Sequence, residues 1–378
     1  VHEIVLAAKQ HNPQSLGEAV EALNIAGEGV LHRACAKRQG EVAQMLIEAG
    51  ARSDARSSAG DTAMHIASRE GLEHIATMLL DLSDPRALNA GNIAGETPLH
   101  LAMSANTSKH ARIARMLLAR GAFAFGRTRS GETVMHACAR EGNVQLASLI
   151  LSRPRTSETV EALNAKANNG GTPLHVAVTH SQEEMVKLLL LQEGIDRGVS
   201  DNEGNTPILT ACARGDIILL QRLLRAGRGV GPRELQVRNA LGWAALHTAS
   251  FRGQDVAVRM LLRHQAPVDQ RTADGWTALH LACAEGQLSC VTSLLASGAQ
   301  LDAHHASGES ALGLAAARGH QKVVTQLLRA GASPAARADD HGWTPMHAAL
   351  VHGEADVAVQ LLERGGRIRT PRDLRDAH

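Results

Sequence analysis

Histidine is the residue type in this chain whose number and spacing most suggest chemistry. The sequence has 20 histidines in 378 residues, and an imidazole can act as a general base or as a metal ligand. Eight of them stand five residues after a glycine, namely His32, His65, His100, His136, His175, His247, His280 and His347. Each lies in a similar heptapeptide, such as ETPLHLA at 96–102, so one histidine belongs to each copy of a repeated unit.

No catalytic motif accompanies these histidines. The sequence contains no nucleophile elbow, no HExxH and no kinase or P-loop motif. The segment Gly227–Gly231 (GRGVG) is glycine-rich, but a dinucleotide loop follows a strand, and here a predicted helix precedes the glycines. His304 and His305 predict a solvated turn rather than a zinc site, because no further ligand spacing supports zinc. We therefore expect no catalytic residue, no metal and no cofactor, and predict that the chain is not an enzyme.

The cysteines indicate a reducing compartment. There are 5, at Cys35, Cys138, Cys212, Cys283 and Cys290. Four lie seven or eight residues after a repeat glycine, where other copies carry small residues, and they are spread over different copies. We expect buried thiols rather than disulfides or a metal cluster. A cytoplasmic location is predicted, with attachment to a membrane or entry into the nucleus left to flanking regions.

The repeated unit positions all of these residues. Its pattern is clearest in Gly275–Ala299, where a glycine turn precedes a short Ala/Cys helix, Gly286, and a second helix with Val291, Leu294 and Leu295 at helical spacing. One such hairpin cannot bury its own apolar residues, so it needs copies above and below. Ten marker glycines recur with a basic period of 33 residues plus small insertions: Gly27, Gly60, Gly95, Gly131, Gly170, Gly204, Gly242, Gly275, Gly308 and Gly342.

The heptapeptides after these glycines resemble the ankyrin-repeat family, whose signature is Thr-Pro-Leu-His-x-Ala. ETPLHLA (96–102) and GTPLHVA (171–177) carry it intact, and the resemblance covers about nine-tenths of the chain. It implies an all-α solenoid of helix-turn-helix repeats with β-hairpin-like finger loops. It also implies that the histidine, with the threonine of the preceding turn, bonds the turn backbone and the adjacent repeat. Leu209 and Gly313 replace the histidine, so we expect weaker joints there.

The domain organisation follows from the markers. Residues 1–24 are predicted to be a partial repeat, residues 25–366 ten repeats, and residues 367–378 the start of a truncated eleventh repeat or a tail. The first residue is Val1, and we expect a piece of a longer protein. Insertions fall between the helices of repeat three, at Asn106–Lys109, and in the fingers after repeats four and six; we expect surface loops there.

The overall charge argues against two classes of partner. The formal net charge is +1, so we expect no general attraction to nucleic acid or to an anionic membrane. No run is apolar enough for membrane insertion. The expected partner is another protein, bound by a monomer.

Residues that vary within the fixed frame are the candidate contacts. At the position one residue after the marker glycine, repeats one to four carry an aspartate or a glutamate. Three later repeats carry Trp243, Trp276 and Trp343 there. Tryptophan and arginine are enriched at binding hot spots. The predicted partner-binding residues are Arg214, Trp243, Phe251, Arg252, Trp276, Glu285, Arg318, Trp343 and His352. The sequence leaves open whether the indoles are presented to a partner or packed against the neighbouring finger. Phe123 and Phe125 are a second candidate contact, for which we favour a packed finger.

The predicted function is therefore non-catalytic protein binding. The resemblance implies that the partner binds the concave face, and the chain would serve an intracellular adaptor or scaffold in signalling or membrane trafficking. An extended peptide with apolar and acidic or phosphorylated residues would suit such a surface. Two alternatives are a structural spacer between flanking domains and a substrate-recognition array for an enzyme domain elsewhere in a longer protein.

Overall fold

The computed structural model describes residues 24, 27–82, 88–152, 157–225, 231–306, 308–335 and 343–365. Most of the predicted partial repeat at 1–24, the tail at 367–378, the marker Gly342 and all but the last residue of Gly227–Gly231 lie outside these ranges. The chain divides into two compact units, which we call unit 1 (Val1–Asp196) and unit 2 (Arg197–His378).

Both units are built from pairs of short helices. Unit 1 contains α1 (Val30–Ala36), α2 (Gly40–Glu48), α3 (Ala63–Glu70), α4 (Glu73–Leu82), α5 (Pro98–Met103), α6 (Ser108–Ala119), α7 (Val134–Glu141), α8 (Val144–Leu151), α9 (Ser157–Leu163), α10 (Pro173–Thr179) and α11 (Glu183–Leu190). Unit 2 contains α12 (Pro207–Arg214), α13 (Ile217–Arg225), α14 (Pro232–Leu235), α15 (Ala245–Phe251), α16 (Asp255–Arg263), α17 (Ala278–Ala284), α18 (Leu288–Ala296), α19 (Ala311–Ala317), α20 (Gln321–Arg329), α21 (Pro345–Val351) and α22 (Ala355–Glu363).

In seven of the ten described pairs the first helix begins after the threonine of the heptapeptide. Thr97 caps α5, because its hydroxyl oxygen accepts from the His100 backbone N–H while the Thr97 N–H donates to His100 Nδ1 at 3.2 Å. Pro98 occupies the first helical position, where its missing N–H and fixed φ cost nothing. The motif thus satisfies the exposed backbone at the start of the helix.

A left-handed glycine ends several first helices. Gly71 follows α3 with φ 69°, and an added Cβ there would come within 2.8 Å of the His110 ring. That histidine belongs to the next repeat, and its Nε2 lies 2.9 Å from the Arg69 carbonyl oxygen. A side chain from one repeat therefore closes the helix end of the repeat before it.

Burial follows the repeat. Every residue of α17, from Ala278 to Ala284, is buried. In α18 only Cys290, Val291 and Leu294 are buried, and its other residues are partly or fully exposed. A first helix is covered by both neighbours and by its own partner, so small residues suit it. The five cysteines are all free and buried, as predicted. Burial raises the pKa of the Cys35, Cys138 and Cys212 thiols to about 12, which leaves them unreactive at neutral pH.

The repeated histidine joins consecutive repeats. Its Nδ1 accepts a backbone N–H within its own turn, as in Thr62 N to His65 Nδ1 at 3.1 Å, so the proton resides on Nε2. In four repeats Nε2 then donates to the carbonyl of the residue after the next marker glycine, whereas Nε2 of His280 lies 2.8 Å from the Ala303 carbonyl oxygen. These pairs are His32 to Asp61 (3.0 Å), His65 to Glu96 (3.1 Å), His136 to Gly171 (3.1 Å) and His247 to Trp276 (3.2 Å). The role implied by the resemblance is therefore observed in both units.

The predicted insertions differ from simple loops. In the fingers after repeats four and six the added residues form α9 and α14, each held by one buried leucine, Leu163 and Leu235. We expected a surface loop at Asn106–Lys109, and this prediction is wrong for the second half of the segment, which is helical. Ser108 begins α6, a helix of 12 residues, because the Thr107 hydroxyl oxygen accepts from the His110 N–H. Among the described residues no helix is long and apolar enough to cross a membrane.

Candidate functional site

The finger turns of unit 2 fix the backbone of their tryptophans. We call the residues one, nine and ten positions after each marker glycine of unit 2 the finger surface. In repeat seven Asn239 closes the turn, since its N–H donates to the Trp243 carbonyl at 2.9 Å and its Oδ1 accepts the Trp243 N–H at 3.0 Å. Thr272 closes the turn before Trp276 in the same way. The turn thereby fixes the backbone from which each indole projects.

Trp243 and Phe251 form an aromatic pair. Their ring centroids lie 5.1 Å apart at 63°, an edge-to-face arrangement that adds to the free energy of burial. Phe251, the last residue of α15, is 37% exposed, and Trp243 is half-buried. Leu241 at the turn is 71% exposed. The structure therefore brings these two predicted residues together and leaves part of both rings open to solvent.

Trp276 is packed rather than presented. Its ring stacks on His305 of the next finger, with centroids 4.4 Å apart and planes 9° from parallel. His305 is only 9% exposed, and its Nε2 lies 3.0 Å from the Glu309 carboxylate. The expected solvated turn is thus wrong for His305, because the indole supplies a flat apolar surface for the imidazole; His304 is exposed as expected. Trp276 is half-buried, like Trp243, and joins two fingers through this stack.

Trp343 lies at the outer part of repeat ten. It is 41% exposed, and its ring lies 6.3 Å from that of His347. Val351 at the end of α21 is 61% exposed and His352 beside it is exposed. Trp343 and Val351 thus add exposed apolar side chains to the finger surface.

The arginines of the finger surface fall into two classes. Arg214 and Arg252 are exposed at the ends of α12 and α15, and within the described residues neither guanidinium has an acidic partner. Arg318 instead donates to Glu285 Oε1 at 3.0 Å. Two predicted contact residues therefore bind each other, and only two of the three arginines can receive an acid without losing an ion pair.

In repeats two and four of unit 1 the residues one and nine positions after the marker glycine form ion pairs. Arg69 lies 2.8 Å from Asp61, eight residues earlier, and Arg140 pairs with Glu132 at the same separation in sequence. Asp61 is 5% exposed. Its burial raises the pKa of the carboxyl, but the hydrogen bonds from Arg69 and Asn92 outweigh burial and leave the pKa lowered. This pairing was not predicted from the sequence, although two repeats carry an acid and an arginine eight residues apart.

The second aromatic candidate lies in unit 1. Phe123 and Phe125 meet edge to face with centroids 5.9 Å apart, and Phe123 is 50% exposed. With Arg127 and Glu161 they line a cavity of about 210 Å³, so the favoured packed finger holds only in part. Across the described ranges no group of three or more His, Cys, Asp or Glu side chains could hold a metal ion.

Comparison with known proteins matches the whole array. The family model described as ankyrin repeats (3 copies) matches residues 4–89, 124–201, 155–234, 208–305 and 286–371, and the single ankyrin repeat model matches 94–124. The crystal structure of the ankyrin repeat domain of Bcl-3, described as a unique member of the IkappaB protein family, covers 62% of this chain and 100% of that one. It has 29% sequence identity and a TM-score of 0.53.

Curated relatives match over about half of the chain. The B-cell lymphoma 3 protein homolog of Mus musculus is 34% identical over 213 residues, which are 55% of this chain and 44% of that protein. The nuclear factor NF-kappa-B p105 subunit of Gallus gallus is 28% identical over 51% of this chain and 19% of that protein. Rabankyrin-5 of Mus musculus is 29% identical over 53% and 18%. The matched part is less than half of each relative, whereas the repeat models extend from residue 4 to residue 371. The chain therefore belongs to the ankyrin-repeat family.

Proposed function

We propose that this chain is a non-catalytic protein-interaction module that binds a partner segment on the finger surface of unit 2. The observation that carries the proposal is the pair Trp243 and Phe251. It offers partly open aromatic rings at the two positions that form ion pairs in repeats two and four of unit 1. Exposed aromatic rings beside unpaired arginines are typical of binding hot spots.

The three tryptophans have different parts in this proposal. Trp243 with Phe251 is the main anchor, and Trp343 is a second one nearer the end of unit 2. Trp276 stacks on His305 and contributes to the stability of the array instead. That stack favours the spacer interpretation for one tryptophan of three, so the spacer is kept as the second candidate function.

The setting is also a proposal. Five buried free thiols suit a reducing compartment, and we propose that the module acts in an intracellular adaptor or scaffold, in the cytoplasm or the nucleus. The similarity to Bcl-3 and to the p105 subunit supports a protein partner, because ankyrin-repeat relatives of this kind are interaction modules.

Alanine substitution tests binder against spacer. The immobilised chain is used to capture proteins from lysate, with mass spectrometry for identification, and the affinity of a captured protein is then measured by calorimetry. We expect Trp243→Ala and Phe251→Ala to lose capture with little change in melting temperature, and Trp276→Ala to lower the melting temperature.

Phe123→Ala is the matched control, because it removes an exposed aromatic ring from unit 1. It should leave capture unchanged. Retained capture in both Trp243→Ala and Phe251→Ala, or equal loss in Phe123→Ala, would contradict the proposed surface. If these variants lose only stability, the spacer function is favoured.

A further inference from the structure

One column of charged residues runs along the finger surface. The residue ten positions after the marker glycine is Arg214, Arg252, Glu285 and Arg318 in repeats six to nine. Glu285 is already bound by Arg318, so it does not compensate Arg252. Arg214 and Arg252 are therefore neighbouring like charges, and in the described part of unit 2 no acid contacts either guanidinium. An acid supplied from outside would relieve their repulsion.

The separation of the two arginines follows from the packing of their helices. Arg214 ends α12 and Arg252 directly follows α15, and these two first helices are in contact. Packed helices lie about 8–10 Å apart. An extended chain advances about 3.3 Å per residue, so about three residues span one repeat. Two acids three residues apart would thus reach both guanidinium groups.

The aromatic pair fixes where an apolar residue must lie. Phe251 immediately precedes Arg252 and its ring packs on Trp243. A side chain next to the acid that meets Arg252 would therefore fall on these rings. The next residue of the column is Glu285, which is half-buried and already paired with Arg318, so a third acid would meet a carboxylate there.

From these three observations we infer the chemistry of the partner segment, an inference that rests on the proposed function. The segment is an extended acidic peptide with two carboxylates three residues apart, which bind Arg214 and Arg252. An apolar residue beside the second carboxylate packs on Trp243 and Phe251. The Glu285–Arg318 pair limits the acidic stretch to two groups, because a third carboxylate at the same spacing would meet Glu285.

Short fluorescent peptides test the spacing by anisotropy with the full chain. Each carries two glutamates separated by two, three, four or five positions in a Gly/Ser background, with phenylalanine beside one glutamate, in both chain orders. We expect the tightest binding at a spacing of three, and a loss of most of the affinity when salt rises to about 0.5 M. A third glutamate three residues further on should weaken binding.

Charge variants assign the contacts. Arg214→Gln and Arg252→Gln should each weaken the spacing-three peptide by about fivefold, the range for a partly exposed ion pair. Arg263→Gln is the matched control, an exposed arginine on the second helix of the same hairpin as Arg252. Glu285→Gln should remove the penalty of the third glutamate, because the amide carries no charge and Arg318 loses its carboxylate partner.

The outcomes separate this inference from the proposed function. Affinity that is independent of spacing, or equal loss in Arg263→Gln, overturns the two-carboxylate register. Binding only when the glutamates are replaced by phosphoserine overturns the assignment to carboxylates. Capture of a lysate protein that is lost in Phe251→Ala but unchanged in Arg214→Gln and Arg252→Gln keeps the proposed function and rejects the acidic peptide.

Discussion

Two positions of the repeat, one and nine residues after the marker glycine, meet in both units but with opposite chemistry. In unit 1 they hold Asp61 with Arg69 and Glu132 with Arg140. In repeat seven of unit 2 they hold Trp243 with Phe251. The first helix of the repeat separates the two positions in each case, so the repeat brings the two side chains together whatever residue types they are.

The difference teaches how one frame supports two kinds of surface. An ion pair satisfies its own charges and leaves little for a ligand to gain. An aromatic pair leaves ring faces in water, and their burial by a partner is favourable. Repeats two and four of unit 1 are thus closed at these positions, whereas repeat seven of unit 2 is open.

The largest expected effect tests whether the frame is the same in both units. Leu117 in α6 and Leu261 in α16 are fully buried. Leu117→Ala and Leu261→Ala should each lower the free energy of unfolding by about 3 kcal/mol, because a cavity replaces packed methyl groups. Urea unfolding followed by circular dichroism measures this. A loss confined to one unit would mean that the two frames are not equivalent.

Acidification should act on both units alike. Burial lowers the pKa of His136 in unit 1 and of His280 in unit 2 to about 4. The unfolded chain, with histidine near pKa 6.5, binds protons between these values that the native state does not. The contribution of each buried histidine to the free energy of unfolding is therefore fully present above about pH 6.5. It falls on acidification towards pH 4, by about 2 kcal/mol per histidine at pH 5.

Urea unfolding at pH 7, 6 and 5 measures the slope. His280→Gln should be less stable at pH 7 and should depend less on pH. Constant stability over this range would show that the buried imidazoles are not the cause. The pKa of Asp61 is also lowered, so its contribution in unit 1 is lost only below about pH 4.

Breaking the paired positions should have different results in the two units. Arg69→Ala leaves Asp61 buried without its guanidinium and should lower the free energy of unfolding by about 1–2 kcal/mol. Phe251→Ala removes a ring that is 37% exposed and should cost less than about 1 kcal/mol while it abolishes partner capture. Parallel unfolding and capture experiments decide. Equal effects on stability would remove the distinction between closed and open surfaces.

The smallest expected effect concerns a hydroxyl shared by both units. Ser68 and Ser250, each eight residues after a marker glycine, have buried Oγ atoms without a hydrogen-bond partner. Ser68→Ala and Ser250→Ala should therefore stabilise the chain by up to about 1 kcal/mol. Ser310→Ala is the control, because the Ser310 Oγ accepts the Gly313 N–H at the start of α19, and it should destabilise by about 1 kcal/mol.

The fold was readable from the sequence because its determinants are local. A glycine with positive φ, a threonine cap and a histidine three residues after it lie within one turn, so their types specify the start of each hairpin. The buried cysteines followed from their place in that frame. The start of α6 at Ser108 was missed, since the cap at Thr107 lies in an insertion that has no counterpart in other repeats.

The candidate site was readable only in part. That Trp243 and Phe251 would lie together followed from their repeat positions. The stack of Trp276 on His305 and the pair of Glu285 with Arg318 did not, because each joins side chains about 30 residues apart through rotamers that composition does not specify. Those two contacts decide which predicted residues remain open to a partner.

The histidine that joins a first helix to the next finger is missing from two repeats, where Leu209 and Gly313 stand instead. The fingers that follow are those of Trp243 and Trp343, whereas Trp276 follows His247, which donates to its carbonyl. Repeat six contains no histidine, so no imidazole from that repeat holds the backbone of the Trp243 finger. The Trp243 finger can therefore shift at a lower enthalpic cost than the Trp276 finger, and a ligand would adjust its position on binding. Substitutions at Leu209 would then change specificity without altering the packing of the stacked helices.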